Sequence, residues 1–249
     1  MSKFEGKTIL VTGGTGSFGG YFVNYLLDKN FEEIRVFSRD ELKQEEMRLR
    51  FQNSKIKFHI GDVRDRDSVD DVMAGVDYVF HAAALKQVPA AEYNPFECIK
   101  TNIYGAMNLI DACIDNKVKR IIALSSDKAS APSNLYGATK LAADKLFVAG
   151  NSYSGSSSTK FSVVRYGNVM GSRGSIIPFF DNLKETGELP ITDPAMTRFM
   201  ISPEEAVELV WLAFEDMQGG EIYVKKIPSM TIPDIASAVS DTAKQKIIG

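Results

Sequence analysis

The sequence is poor in the residues that build several common kinds of site. It has two histidines, His59 and His81, and two cysteines, Cys98 and Cys113. So few ligands exclude a His-rich metal centre, and no zinc spacing is present; no metal is expected. Both cysteines fall in stretches that read as helical, which argues against a disulfide framework and for a reducing, cytoplasmic setting. No apolar segment precedes the first strand in MSKFEGKTILVTGG, so no secretory signal is read. LVWLAF at 209–214 is far shorter than the roughly 20 residues of a membrane helix, and no membrane partner is expected. Charge of one sign is also lacking. Twenty-nine basic against 32 acidic residues leave a formal charge of −3, no sign of a nucleic-acid face. That balance leaves room for a local basic pocket. There is no Ser-His-Asp triad and no Walker A loop.

What remains is ordinary globular composition: 249 residues, 44% hydrophobic and 24% charged. That length buries a substantial core in one large domain, or one domain with a small partner. The first two-thirds alternate β-branched runs with amphipathic stretches. Strands are predicted at Lys7–Thr12, Glu33–Ser38, Ile56–Ile60, Val76–His81, Arg120–Ser125 and Phe161–Tyr166. Helices are predicted near 18–29, 40–52, 65–74, 95–116 and 134–149. Runs such as TILV and RIIAL lack polar alternation, as strands buried on both faces do. The pattern predicts an α/β fold, a Rossmann-like, doubly wound parallel sheet with its strand C-termini along one functional edge. The Ser-rich stretch at 151–159 reads as a surface loop. After Tyr166 the rhythm breaks, and a smaller C-terminal portion over 167–249 is expected. One helix stands out there: Ser202 as N-cap, Pro203 at N1 and Glu205 closing a capping box. The final KQKIIG reads as another strand, and its abrupt stop predicts a truncated C-terminal portion.

TILVTGGTGSFGG sets Gly13, Gly16 and Gly19 after the first strand and at a helix opening. Gly13 permits the tight turn, Gly16 the approach of a pyrophosphate, and Gly19 close helix–strand packing. The helix N-terminus adds N–H donors and a partial positive charge. Thr15, Ser17 and Phe18 complete this candidate dinucleotide turn. Glycine patterns also occur in ordinary turns; the strand–turn–helix context makes this one specific. At the end of the second strand stand Ser38 and Arg39, whose hydroxyl and guanidinium suit the 2′-phosphate of NADP. Asp40 follows them, an acid that would suit NAD instead, or a mere solvated partner of Arg39. Asp62 is a candidate for the adenine edge or a turn former, with Val63 beside it. Ala82 and Ala83 are small enough for backbone to lie along a cofactor, or simply pack.

Tyr136 and Lys140 are four residues apart on a predicted helix and share a face. A neighbouring ammonium favours phenolate and is expected to lower the tyrosine pKa, so that Tyr136 can take a hydroxyl proton. Ser126, at a strand end, can bond the same oxygen. Asp127 and Lys128 follow it at the functional edge, where the bland reading is a turn.

TGGTGSFGG, FHAAALKQVP, LSSDKA, NLYGATKLAADKLF, VVRYGNVMGSRGS and TRFMIS together resemble the extended short-chain dehydrogenase/reductase family over nearly the whole chain. Within it they look like the soluble, C5-inverting UDP-N-acetylglucosamine 4,6-dehydratases. The resemblance implies NADP as cofactor, UDP-N-acetylglucosamine as small-molecule partner, and a homo-oligomer. It implies oxidation at C4 by way of Tyr136, C5 deprotonation by a partly neutral Lys128, and proton donation to the departing C6 hydroxyl by an Asp127 kept protonated in a dry site. Related dTDP-glucose dehydratases carry Asp-Glu where this chain has Asp127-Lys128. It also implies that Lys86, Asn168, Arg173, Ser175 and Arg198 grip the nucleotide sugar, and that Asn102 supports the Tyr–Lys pair. Residues 1–166 are then the NADP-binding domain, and 167–249 the substrate-binding portion. Two alternatives stay open: an epimerase or reductase on the same scaffold, and a non-catalytic NADP-binding protein.

Overall fold

The structure, a computed structural model, describes residues 4–155 and 158–249. In chain order the first elements are β1 (Thr8–Thr12), α1 (Ser17–Leu26), β2 (Glu33–Ser38), α2 (Glu41–Phe51), β3 (Ile56–Ile60), α3 (Arg66–Met73) and β4 (Tyr78–His81). Then come α4 (Val88–Tyr93), α5 (Pro95–Ile99), a π-helical turn at Lys100–Tyr104, α6 (Gly105–Asp115), β5 (Arg120–Leu124), α7 (Leu135–Tyr153) and β6 (Lys160–Arg165). The remainder holds β7 (Asn168–Val169), α8 (Ile176–Leu183), β8 (Glu188–Ile191), β9 (Thr197–Ile201), α9 (Pro203–Asp216), β10 (Ile222–Val224), β11 (Ser229–Thr231), α10 (Ile232–Val239) and β12 (Lys244–Ile247). Among the described residues no helix is long and apolar enough to cross a membrane.

The chain folds as two compact units. The first comprises Met1–Arg165 and Val207–Val224, the second Tyr166–Ala206 and Lys225–Gly249. A single break at Tyr166 therefore misses a return: the later part of α9 and all of β10 belong with the first unit. The cause is apolar. Trp211 lies 4.5 Å from Phe4 and 5.8 Å from Tyr25, ring centre to ring centre, and Phe214 stacks on Phe22. Trp211 is half-buried in this aromatic cluster.

The first unit is a seven-stranded sheet in the order β3-β2-β1-β4-β5-β6-β10, with every pairing parallel. The predicted strands and the doubly wound topology are present. Ile9, Leu10 and Val11 of β1 are fully buried, which explains the missing polar alternation. Each such side chain contributes about 1.5–3 kcal/mol of burial. The helices cover this sheet; Val69, Val72, Leu109, Ala112 and Phe147 share one core with Leu10, Val79, Ile121 and Val163.

The second unit has its own small core of Phe180, Leu189, Ile191, Met200, Ile232 and Ile235. Its strands form a β11-β9-β7 sheet and a parallel β12-β8 pair. The strand read from KQKIIG is β12, paired through Gln245↔Leu189. Ser202 and Glu205 form the predicted capping box: Glu205 N–H donates to Ser202 Oγ at 3.1 Å, and Ser202 N–H to Glu205 Oε2 at 3.4 Å. Of the Ser-rich stretch at 151–159, residues up to Tyr153 close α7, while Ser156 and Ser157 lie outside the described residues.

Candidate functional site

Parallel strands set the ends of β1, β2, β3, β4 and β5 along one edge of the first unit. The turn after β1 is held from both sides. Gly13 N–H donates to Phe37 O at 2.8 Å, and Thr15 Oγ1 donates to Ser38 Oγ at 3.1 Å. Gly13 sits at φ +66°, and a Cβ there would lie 2.8 Å from the Ala83 backbone. Glycine is therefore required twice over, and the small Ala82–Ala83 segment is what the turn packs against. A Cβ on Gly19 would overlap the Gly13 carbonyl oxygen, so α1 abuts the turn as predicted. Helix α1 has Gly16 as N-cap with no side-chain cap, and no acid in its first turn. Together with the dipole, that donor set fits a phosphate.

Beyond the turn, Asp40 caps α2, accepting from Lys43 N–H at 3.0 Å and pairing with the Lys43 ammonium. This acid has a structural task. Ser38 Oγ accepts from Gln44 Nε2 at 3.1 Å, and the Arg39 side chain is 52% exposed. Asp62 makes turn contacts: its carboxylate accepts from Arg64 N–H at 3.0 Å, from Arg64 Nε at 2.8 Å, and meets Arg39 at 3.5 Å. Burial pushes its pKa up, but the Arg64 bonds outweigh burial and hold it low. Val63 is buried in the core beside it.

The loop after β5 brings the chemistry-bearing residues together. Ser126 opens a 3₁₀ turn, accepting Lys128 N–H on its Oγ at 3.2 Å. Ser126 Oγ donates to Asp127 Oδ1 at 2.9 Å, and Lys128 Nζ donates to the same oxygen at 3.2 Å. Asn134 caps α7 through Gly137 N–H at 2.9 Å. Gly137 then allows the 3₁₀ turn to rest on α7, because a Cβ there would overlap the Lys128 carbonyl oxygen. The Lys128 backbone therefore rests on the first turn of the helix that carries Tyr136.

Tyr136 and Lys140 are both buried, at 8% and 6% exposure. Burial pushes the Tyr136 pKa up to about 12, against the lowering effect of a hydrogen bond with Ser126. Burial also pushes Lys140 down to about 8, while the Asp144 carboxylate pulls it back up. The expected lowering of the tyrosine is thus corrected: desolvation of the phenolate dominates, and the Lys140 ammonium is spent on Leu124 O at 2.5 Å. The dry surroundings expected for Asp127 also differ from the structure. Its side chain is 27% exposed and Lys128 34%, and the two form an ion pair.

Asn102 sits in the π-helical turn. Its amide exchanges two 2.9 Å bonds with the Leu85 backbone and donates to Thr139 Oγ1 at 3.0 Å. It therefore ties the loop after β4 to the residue before Lys140. Lys86 is exposed on that loop. His81 is fully buried with Nδ1 2.7 Å from Thr12 Oγ1, a structural histidine.

The remaining predicted residues belong to the second unit. Asn168 begins β7, and its Oδ1 is buried with no hydrogen-bond partner. Arg173 lies in the turn before α8. Ser175 is the α8 N-cap position, with Oγ donating to Ser172 O at 2.6 Å. Arg198 on β9 donates to Thr197 O at 2.8 Å. Sequence reasoning passed over Asp144, whose buried carboxylate bonds Ser125 and Arg165. The available signal was its position one turn beyond Lys140.

Among known proteins, the chain is 58% identical to the UDP-N-acetylglucosamine 4,6-dehydratase (inverting) of Campylobacter jejuni serotype O:23/36, across 99% of this chain and 75% of that protein. It is also 51% identical to a UDP-glucose 4-epimerase of Rickettsia prowazekii, across 96% of this chain and 71% of that one. In structure it matches Pen from Bacillus thuringiensis with a TM-score of 0.95 and 41% identity, over 99% of this chain and 78% of that one. A family of polysaccharide biosynthesis proteins matches residues 9–248. With that match over almost its whole length, and with the extended short-chain dehydrogenase/reductase fold, the chain belongs to the polysaccharide biosynthesis protein family.

Proposed function

We propose that this chain is an NADP-dependent UDP-N-acetylglucosamine 4,6-dehydratase that inverts C5. The observation that carries the reading is Asp127 and Lys128, hydrogen-bonded at 3.2 Å and packed through Gly137 against the helix bearing Tyr136. A nicotinamide dinucleotide bound at this edge would supply reversible hydride acceptance between C4 and C6. The β1 turn from Gly13 to Gly19 would hold its phosphates, and Ala82 and Ala83 would flank it. Ser38 and Arg39 favour a 2′-phosphate, a choice supported by the engagement of Asp40 as a helix cap.

The protein's own groups then move protons. Tyr136 takes the 4-hydroxyl proton as phenolate, the form that burial opposes and that the positive charge of an oxidised nicotinamide would favour; Ser126 is hydrogen-bonded to it. Oxidation at C4 acidifies C5–H. Elimination needs a neutral amine and a protonated carboxyl. The resting ion pair differs from that state by one proton, moved from Lys128 Nζ to Asp127 Oδ1 over 3.2 Å. Lys128 then accepts the C5 proton, and Asp127 gives its proton to the departing hydroxyl, which leaves as water; once hydride is back on C6, C5 takes a solvent-derived proton on the opposite face, which completes the addition and inverts that centre. Lys86, Asn168, Arg173, Ser175 and Arg198 are assigned to the nucleotide sugar. Asn168 Oδ1 has the clearest claim, because a buried acceptor without a donor costs about 1–3 kcal/mol. Cytoplasmic location and self-assembly go with this reading; both cysteines are free and buried, as a reducing compartment allows.

The Rickettsia relative favours a second reading, C4 epimerisation. That reaction needs Tyr136 but has no task for Asp127 beside Lys128. Incubation with UDP-N-acetylglucosamine in deuterated water separates the two. Loss of one water with one deuteron gained at C5 is expected. An intact mass with inverted C4 would replace this reading by the other. Lys128→Ala should slow elimination about 10²–10⁴-fold with dinucleotide affinity retained.

A further inference from the structure

Asp144 is a buried carboxylate with no task in the chemistry above. Only 2% of it is exposed, and such a charge persists only when it is paired. Its Oδ2 accepts from Ser125 Oγ at 2.9 Å and from Arg165 Nε at 2.8 Å. On α7 it falls one turn after Lys140 and two after Tyr136, so all three share a face. Three consecutive residues leaving β5 are tied to these three: Leu124 O to Lys140 Nζ, Ser125 to Asp144, and Ser126 to Tyr136.

We propose that Asp144 is a positioning residue that keeps Lys140 an ammonium and fixes the end of β5 under Tyr136, with Arg165 setting how much of its charge Lys140 receives. The proposal rests on Tyr136 and Lys140 being the proton-handling pair. Arg165 pairs with this carboxylate at 2.8 Å, and Lys140, one turn back on α7, feels its charge. An arginine keeps its proton under all conditions. Of the two, only the lysine can answer a loss of negative charge by deprotonating. Burial already pushes Lys140 down to about 8, and Asp144 opposes that shift.

The other groups around Lys140 are few. His81 faces it from β4 and Cys98 from α5, while Tyr136 stands one turn before it on α7. Asp127 and Lys128, in the 3₁₀ turn, pair with each other. Charges on the other elements against α7 are engaged elsewhere. Glu92 of α4 accepts Leu135 N–H, Lys100 pairs with Glu97, Asp111 and Asp115 of α6 pair with Arg66, and Lys160 of β6 meets Gln218.

The two partners of this ion pair should therefore act with opposite signs. In the full-length chain carrying ¹³Cε-lysine, the Lys140 signal is assigned by its loss in Lys140→Met and followed against pH. Asp144→Asn should lower the Lys140 midpoint by about one pH unit or more, and Arg165→Met should raise it. The double variant should fall between the singles. Midpoints that stay put, or move the same way in both singles, overturn the proposal. Should Asp144→Asn fail to fold, Arg165→Met decides alone: an upward shift supports the proposal and an unmoved midpoint overturns it. In turnover of UDP-N-acetylglucosamine, the pH midpoint of kcat should move with the NMR midpoint, whereas simple structural damage lowers kcat without moving it. If the wild-type chain does not turn over this substrate, the dehydratase reading fails, while the substrate-free titration still decides the role of Asp144.

Discussion

Gly13 illustrates how little freedom a single position near the candidate cofactor turn retains. Its φ of +66° is costly for any residue with a Cβ, and the Ala83 backbone occupies the space a Cβ would need. Gly13→Ala should cost about 1–3 kcal/mol of stability and abolish dinucleotide binding. Urea unfolding and a fluorescence titration with NADPH check both; an alanine variant that binds normally would mean the turn does not fit the phosphates as argued. Arg39 makes a contrasting case. It is half exposed and meets Asp62 only at 3.5 Å, so it is available to a ligand and structurally dispensable. Arg39→Ala should leave stability unchanged and reduce the preference for NADP over NAD roughly tenfold, about the worth of one charge-assisted bond. Equal loss of affinity for both dinucleotides would remove Arg39 from the 2′-phosphate.

At the scale of elements, the site depends on β5, its 3₁₀ turn and α7 behaving as one piece. Gly137 is the contact point, and Gly137→Ala must displace the Lys128 carbonyl. Because Lys128, the proposed base, moves while the β1 turn does not, kcat should fall about 10²-fold with dinucleotide affinity retained. Unchanged kcat would show that Lys128 does not need this placement. Much of this element was legible in the sequence: RIIAL announces a buried parallel strand, and YGATK sets the Tyr–Lys spacing. The contact through Gly137 was not, since one glycine among helix formers carries no sign of what it touches. Asp144 looked like any solvated helix acid; Ser125 and Arg165, 19 and 21 residues away, are what bury it. The π-helical turn was hidden for a similar reason. No local breaker marks Lys100–Tyr104, and the Asn102 side chain is tied to Leu85 and Thr139 from outside the helix. Helix α4 went unread because VPAAEY is a short run with an early proline. In the second unit β7 has two residues and β11 three, too few to show a period, whereas the KQKI strand was long enough.

For the molecule as a whole, near-balanced charge means that net repulsion contributes little at neutral pH, and specific groups govern its acid response. His81 is the clearest of them. It is fully enclosed beside Thr12, and burial, aided by the Lys140 charge, pushes its pKa down to about 3. An unfolded chain binds a proton on this ring near pH 6.5, and the folded chain does so only near pH 3. Between those limits the unfolded state holds more protons, so the stability from a neutral His81 is complete above pH 6.5 and is lost as pH falls. The slope is at most about 1.4 kcal/mol per pH unit. His59 acts with the same sign, since its burial and then Arg35 lower it, but it is partly open to solvent and its share is smaller. Asp62 and Asp77 are held below the usual carboxylate range, where Arg64 and Lys119 bonds outweigh burial, so their contribution is lost only at more acid pH. The interval from pH 6.5 to 5 therefore isolates the histidines. Urea unfolding across it should show a loss of about 2 kcal/mol in the wild-type chain and less than half of that in His81→Gln. Parallel pH curves for the two would mean that His81 is not the group whose protonation opens the fold.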